Sequence, residues 1–182
     1  MTSTAADRFR RVNTTFQART SEVADWSAPA PCEGWVAHDV VRHLMEWVPG
    51  FFGAAGIEFA ATPDVEADPA GAWAGLAAQL QALPDAPEAA ARPVNAGPMG
   101  EMPFADAVDR LVTGDLHVHT WDLARACDLD ETLDPEVSAS MLAGMEPMDA
   151  MLRASGHFGP RVDVPADASV QDKLLAFLGR QP

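Results

Sequence analysis

The chain has few basic residues, only two cysteines and no tyrosine. Lysine and arginine number 12 against 27 aspartates and glutamates, a formal net charge of −15 in 182 residues. A surface of that sign repels nucleic acid and anionic lipid, so we expect neither a nucleic-acid partner nor a membrane partner. The absence of tyrosine and of long β-branched runs, together with abundant alanine, favours helices over sheets.

Cysteines and long apolar runs are equally scarce. Cys32 and Cys127 lie far apart and form no Cys-x-x-Cys motif, so no disulfide framework is expected. Cys32 stands in a proline-rich loop with no partner motif, where an inert thiol is expected rather than a nucleophile. No apolar run is long enough to span a bilayer, and the first residues lack the apolar centre of a signal peptide. We therefore expect a cytoplasmic protein.

Apolar residues recur at helical spacing in four long segments. The expected helices cover residues 5–25, 36–55, 70–83 and 102–127, followed by 134–153 and 170–178, and a short extended piece is expected within 92–98. The pair Asp134–Pro135 marks a helix start, Pro147 is expected to kink that helix, and Asp167 or Ser169 caps the last one. This pattern predicts a single all-α domain over residues 1–182, an up-down four-helix bundle with one or two additional short helices.

Two polar residues interrupt the apolar face of the fourth helix. On a wheel centred on Val108, at about 100° per residue, Asp115 and His119 fall within about 20° of the centre of the apolar stripe. Asp122 falls on the stripe too, whereas His117 falls on the opposite side and is expected to face solvent. A carboxylate and an imidazole in apolar surroundings are costly unless a partner satisfies them, and a metal ion is one candidate.

A metal in a bundle core takes ligands from facing helices, so we look for a third ligand on the second helix. His43 is the best candidate, because it lies at the edge of an apolar stripe made of Val40, Leu44, Trp47, Val48 and Phe51. Two imidazoles and one carboxylate suit zinc with an open position, and nickel, manganese and ferrous iron accept the same ligands. The alternative is a buried Asp–His hydrogen bond that joins two helices without a metal.

Three further carboxylates are candidates for hydrogen bonding around these ligands. Asp39 and Glu46 lie farther round the second helix by about 40° and 60°, and one of them is a candidate for an additional ligand. Asp122 most simply pairs with Arg125 along the helix. Alternatively, Asp122 accepts a hydrogen bond from His119 and orients its ring.

Three segments resemble motifs of one protein family. Pro29–Leu44, which contains Cys32-Glu-Gly-Trp and His43, resembles the early motif of the mycothiol-dependent maleylpyruvate isomerase N-terminal domain family, in the DinB/YfiT-like superfamily. Asp115–Ala126 resembles its second motif, and Phe158–Arg180 resembles the closing segment of a small actinobacterial metal-binding branch. The resemblance implies a DinB/YfiT-like four-helix bundle with a divalent metal at one end, and it carries the metal ligands onto His43, Asp115 and His119.

The activity that the resemblance implies is thiol transfer or isomerisation. By analogy, a divalent metal, with zinc expected first, would activate a thiol of mycothiol type, and its sulfur would attack a small electrophile. The isomerase has glutamate where this chain has Asp115, and it carries a further carboxy-terminal domain for which this chain has too few residues. Maleylpyruvate isomerisation itself is therefore not expected. The alternatives are a metal-water hydrolase and a non-catalytic metal-stabilised bundle that binds a small molecule or partner; a homodimer is a candidate assembly.

Overall fold

The computed structural model describes residues 4–82, 87–154, 156 and 159–182, and most of them are helical. The helices before the sheet are α1 (Ala5–Glu22), α2 (Ala37–Ala54), α3 (Pro69–Ala82) and α4 (Pro87–Ala90). Those after it are α5 (Phe104–Ala107), α6 (Gly114–Ala126), α7 (Pro135–Met145), α8 (Asp149–Ala154) and α9 (Val170–Phe177). The all-α prediction is confirmed. None of the described helices combines the length and apolar character needed to cross a bilayer.

A small antiparallel sheet precedes α5. Strands β1 (Pro93–Asn95) and β2 (Glu101–Pro103) pair with Val94 opposite Met102, which fits the short extended piece expected within residues 92–98. The predicted helix start at Met102 is wrong, because Met102 belongs to β2 and the helix begins at Phe104. The Phe104 N–H is held by the carbonyl oxygen of Arg92 at 2.8 Å, which ties the start of this helix to the sheet.

The helical run from Phe104 to Ala126 contains a π-helical segment, Val108–Thr113, between α5 and α6. A π-helix bonds each N–H to the carbonyl five residues earlier, and such segments are rare in proteins. The Thr113 hydroxyl also donates to the Val108 carbonyl oxygen at 3.2 Å. The predicted continuous α-helix over 102–127 is therefore interrupted by this π-helical segment, and α-helical geometry resumes at Gly114, where α6 begins.

The first of two compact units, Met1–Glu131, is a four-helix bundle. Within it α1 packs against α3 and α6, and α2 packs against the same two helices, so the four form a closed ring of contacts. The bundle prediction is confirmed. Its core is built mostly from the apolar stripes that the periodicity predicts, with Phe52 in addition, and its largest fully buried side chains include Phe9, Phe16, Leu44, Phe52, Trp73, Leu76, Leu80, Leu116 and Leu123.

Local hydrogen bonds start the two helices that open the chain. Thr4 caps α1, since its hydroxyl accepts from the Asp7 N–H at 3.1 Å and the Asp7 carboxylate accepts in return from the Thr4 N–H. At α2 the Asp39 carboxylate accepts from the Val36 N–H at 2.9 Å. Asp39 therefore serves the start of α2. Leu83, the predicted last residue of the third helix, lies outside the described residues.

Two predictions of side-chain burial are wrong. His117 is 2% exposed and not at the surface. Every residue from Val112 to Ala124 except Asp115 is buried, so α6 has no solvent face over that stretch and a wheel with one apolar side does not describe it. Trp47 and Phe51, predicted to belong to the buried stripe of α2, are only partly buried, and the aromatic residue of α2 that is fully buried is Phe52.

The second compact unit, Thr132–Pro182, contains α7 packed against α9. Asp134 caps α7 as predicted, accepting from the N–H groups of Glu136 and Val137 at 2.9 and 3.2 Å. A 3-10 turn that contains Pro147 separates α7 from α8, where the kink was predicted, and Ser169 caps α9. One domain over residues 1–182 stays a prediction.

Candidate metal centre

The three predicted ligand residues come from two helices that pack against each other, α2 and α6. His43 lies near the middle of α2, and Asp115 and His119 lie one turn apart on α6. Side chains four residues apart on a helix share one face, so the carboxylate and the imidazole of α6 are presented together toward α2. The bundle therefore supplies donors from facing helices, as the sequence predicts.

The donor atoms of these three side chains converge. His43 Nε2 lies 3.3 Å from Asp115 Oδ2, and His119 Nε2 lies 3.4 Å from Asp115 Oδ1. One donor atom from each residue can be chosen so that all three lie within 4.8 Å of one another. The spacing is that of a set that can share one cation. That they hold a metal stays a prediction.

The centre is open on one side and closed on the other. The side chains of His43 and Asp115 keep 35% and 32% of their surface exposed, whereas that of His119 keeps 7%. A small molecule can therefore approach past His43 and Asp115, while His119 forms the floor. Three protein donors with one accessible side are typical of catalytic rather than structural zinc sites.

The ring of His119 is oriented by Asp122. His119 Nδ1 lies 2.9 Å from Asp122 Oδ2, and the Asp122 side chain is fully buried. An ionised carboxylate only accepts hydrogen bonds, so the proton belongs on Nδ1 and the neutral ring directs the Nε2 lone pair toward the centre. This arrangement supports the alternative interpretation of Asp122, as the acceptor that orients His119.

The simpler interpretation of Asp122, an ion pair with Arg125, is wrong. The Arg125 guanidinium donates to both carboxylate oxygens of Glu131, at 2.6 and 2.7 Å, and lies over the ring of Trp121. Arg125 is exposed whereas Asp122 is fully buried, so the two side chains lie on different sides of α6.

The structure does not bring Asp39 and Glu46 to the centre. The Asp39 carboxylate binds the Val36 N–H and the Arg42 guanidinium. The Glu46 side chain is 72% exposed and lies 3.8 Å from Arg42. Both carboxylates therefore bind at the start and the outer face of α2, and their predicted roles around the ligands stay predictions.

Electrostatics keep Asp115 ionised. Burial raises the pKa of the Asp115 carboxyl, but the positive charges that His119 and His43 carry when protonated, with hydrogen bonds from His43 and Trp47, outweigh burial. The pKa of Asp115 consequently lies below its ordinary value. Without a metal, protons on the two imidazoles keep this carboxylate ionised; a cation held by the neutral rings would supply the positive charge in their place.

Two side chains around the centre, those of Trp47 and Cys32, were missed as site residues by sequence reasoning, and the Trp35 ring lies beside them. The Trp47 indole N–H donates to Asp115 Oδ2 at 2.9 Å, and the Trp35 ring lies 5.8 Å from His119, nearly parallel to it. The Cys32 thiol donates to Asp122 Oδ2 at 3.5 Å, so the loop cysteine lies beside the buried carboxylate. A signal for Trp47 existed, since it follows His43 by four residues; the other two come from a loop, where spacing gives no direction.

Comparison with known proteins gives a family match. The family model described as mycothiol maleylpyruvate isomerase N-terminal domain matches residues 9–124, which include His43, Asp115 and His119. The chain is also similar to two uncharacterized proteins, from two strains of Mycobacterium tuberculosis. Each is 32% identical over 157 residues, which cover 84% of this chain and 83% of the relative. No solved structure is a significant match.

Proposed function

The chain belongs to the mycothiol maleylpyruvate isomerase N-terminal domain family, and from this premise we propose that it holds a divalent metal between His43, Asp115 and His119. We propose further that it uses the open side of this centre for a thiol-dependent transferase or isomerase reaction on a small electrophile. The proposed partners are a low-molecular-weight thiol of mycothiol type and that electrophile. Zinc is the first candidate metal, and nickel, manganese and ferrous iron are alternatives.

The observation that carries the proposal is that each carboxylate oxygen of Asp115 faces the Nε2 atom of a different histidine. When His119 is neutral and its Nδ1–H donates to Asp122, the Nε2 lone pair lies 3.4 Å from a carboxylate oxygen of Asp115. His43 Nε2 lies 3.3 Å from the other oxygen. Facing lone pairs repel unless a proton or a cation lies between them, and the two imidazoles and the carboxylate fit a divalent cation.

The chain's own residues divide the remaining roles. A divalent cation at this centre would lower the pKa of a thiol that binds it, so that thiolate is present at neutral pH. Asp115 supplies a full negative charge to hold the cation, and His119, fixed by Asp122, supplies a lone pair of fixed direction. The exposed edge formed by His43 and Asp115 admits the thiol and the electrophile. The sulfur would then bond to the electrophilic carbon as the carbon–oxygen bond of an epoxide or the π bond of an unsaturated carbonyl breaks, and the proton that the thiol released to solvent would be replaced by one that protonates the resulting alkoxide or enolate.

The test is metal content followed by turnover. Untagged protein should contain close to one divalent metal per chain by elemental analysis, and His43→Ala should lose most of it. The metal-loaded protein should consume thiol only when an electrophile is present, across a panel of unsaturated carbonyl compounds and epoxides. Wild-type protein that binds no divalent metal would contradict the proposed metal centre and, with it, the proposed reaction.

The other outcomes separate the alternative functions. Turnover of ester or amide substrates without thiol would indicate a metal-water hydrolase instead. Full metal content with no turnover on any substrate, combined with a large loss of melting temperature on chelation, would indicate a metal-stabilised binding protein. Either result would leave the metal centre in place and reject the thiol reaction.

A further inference from the structure

Trp47 connects one predicted ligand to another. It lies one turn after His43 on α2, so the two side chains share a helix face. Its indole N–H donates to Asp115 Oδ2 at 2.9 Å, from α2 across to α6. The His43 and Trp47 rings are themselves adjacent, with centroids 6.3 Å apart. One face of α2 therefore carries both a predicted metal ligand, His43, and the hydrogen-bond donor to the Asp115 carboxylate, Trp47.

Cation binding requires the Asp115 carboxylate to keep one orientation about its terminal torsion. Its Oδ2 lies 3.3 Å from His43 Nε2 and its Oδ1 lies 3.4 Å from His119 Nε2, so each oxygen faces a different imidazole. The terminal torsion of aspartate is broad, and nothing in the side chain itself keeps the two oxygens in those places. The indole N–H bound to Oδ2 distinguishes the two oxygens and limits that rotation.

An indole suits this task for a chemical reason. Its N–H only donates, so it neither binds a cation nor removes negative charge from the carboxylate by proton transfer. The side chain is partly buried and rigid, with two torsions, so that little conformational entropy is lost in holding the bond. Ligating carboxylates in proteins are commonly held by such hydrogen bonds, and their loss weakens metal affinity.

We propose that Trp47 is a positioning residue that fixes the Asp115 carboxylate for cation binding through its indole N–H. This inference rests on the proposed metal centre, but it adds a distinct requirement: the hydrogen bond, and not only the presence of the aromatic ring, sets the affinity and geometry of the centre. Trp47→Phe keeps most of the ring and removes the donor.

The matched control is Trp73→Phe. Trp73 lies on α3 in the same unit, and its indole N–H donates to Asn13 Oδ1 at 2.9 Å. The control therefore makes the same substitution and removes the same kind of hydrogen bond, one that joins α3 to Asn13 of α1 and does not involve a predicted ligand. Any change common to both variants reports lost packing, and any change confined to Trp47→Phe reports the bond to Asp115.

The experiment uses the full chain stripped of metal and titrated with Co²⁺, whose visible absorption responds to ligand geometry. Trp47→Phe should weaken Co²⁺ affinity by about 10-fold or more and alter the visible spectrum, while the melting temperature of the metal-free protein stays near that of wild type. Trp73→Phe should lower the melting temperature and leave the Co²⁺ affinity and spectrum unchanged. In ¹⁵N-labelled wild-type protein, the assigned Trp47 indole proton should shift when Zn²⁺ is added.

The outcomes that overturn the inference differ from those that overturn the proposed function. Trp47→Phe with wild-type Co²⁺ affinity and spectrum would overturn the inference alone, as would equal losses in both variants. If Trp47→Phe fails to fold, an unchanged indole proton signal on Zn²⁺ addition to wild type would overturn it. Wild-type protein that binds neither Co²⁺ nor Zn²⁺ would instead remove the metal centre itself.

Discussion

At the residue scale, His119 lies between two carboxylates of different character. Asp122 is fully buried and bound to Nδ1, whereas Asp115 is partly exposed and lies near Nε2. Burying a carboxylate costs free energy, and at Asp122 the hydrogen bonds from His119 and Cys32 offset part of that cost. The buried acid therefore orients the ring, and the exposed acid is the one available to a ligand.

A change at Asp122 tests that division of roles. Asp122→Asn removes the charge and keeps the shape, so the ring loses its strong acceptor and Nε2 becomes a weaker, less well directed donor. We expect the metal dissociation constant to rise by about 10-fold, measured by competition with a chromogenic chelator. Glu46→Gln makes the same change of net charge at a side chain that is 72% exposed, and should leave the constant unchanged. Equal effects of the two variants would show that only net charge matters.

Cys127 gives a prediction that depends on pH. Burial, followed by the charge of Asp25, raises the pKa of its thiol. The folded protein thus favours the protonated thiol, which contributes stability below the unfolded-state pKa and loses it as pH rises through the folded-state pKa. In a Cys32→Ser variant, alkylation of Cys127 by iodoacetamide should be slower at neutral pH than that of a free thiol, with its midpoint shifted to higher pH. A midpoint at or below the ordinary thiol value would contradict the assignment.

At the scale of single elements, the sequence predicts what is determined locally. The starts of α7 and α9 follow from Asp134–Pro135 and Ser169, because a cap involves only a few neighbouring residues. The strand that contains Met102 and the π-helical segment Val108–Thr113 were missed. Strand pairing depends on a partner elsewhere in the chain, and a π-helical segment has no distinctive apolar period, so neither leaves a local signal.

The same distinction explains the candidate site. Asp115, His119 and His43 were found because polar residues stand out in an apolar stripe, and that rule needs no tertiary information. The burial of His117 was missed, because the residues that surround α6 come from other parts of the chain. The partners of Asp39 and Glu46 were missed for a related reason: a wheel gives an angle, whereas Arg42 and the Val36 N–H decide where the two carboxylates bind.

The cap of α7 gives the prediction at this scale. The Asp134 carboxylate accepts from two otherwise unbonded N–H groups in the first turn, those of Glu136 and Val137. Asp134→Ala should lower the free energy of unfolding by about 1 kcal/mol, measured by urea denaturation. Asp134→Ser keeps a side-chain acceptor and should retain most of the stability. If the two variants lose equal stability, the cap hydrogen bonds are not the cause.

At the scale of the whole molecule, the proposed chemistry belongs to the first unit, and the charge of the chain favours a cation there. The family match over residues 9–124 falls inside Met1–Glu131, and so do all three proposed ligands. The net charge of −15 makes the surroundings favourable for a cation and unfavourable for an anion. An acidic bundle with one open, partly charged centre is thus suited to binding a cation first and a neutral electrophile afterwards.

Stability should therefore depend on metal concentration. A ligand that binds only the folded state stabilises it by RT ln(1 + [L]/Kd), about 2.7 kcal/mol at a free metal concentration 100 times Kd. Unfolding of the metal-free chain, followed by circular dichroism in urea with rising buffered Zn²⁺, should follow that curve. Mg²⁺, which prefers oxygen ligands in octahedral geometry, should have little effect at this His-rich centre.

His43→Ala should flatten the Zn²⁺ response while leaving metal-free stability close to that of wild type, since a third of the His43 side chain is exposed. A Zn²⁺ response of equal size in His43→Ala would mean that the cation binds elsewhere on this acidic chain.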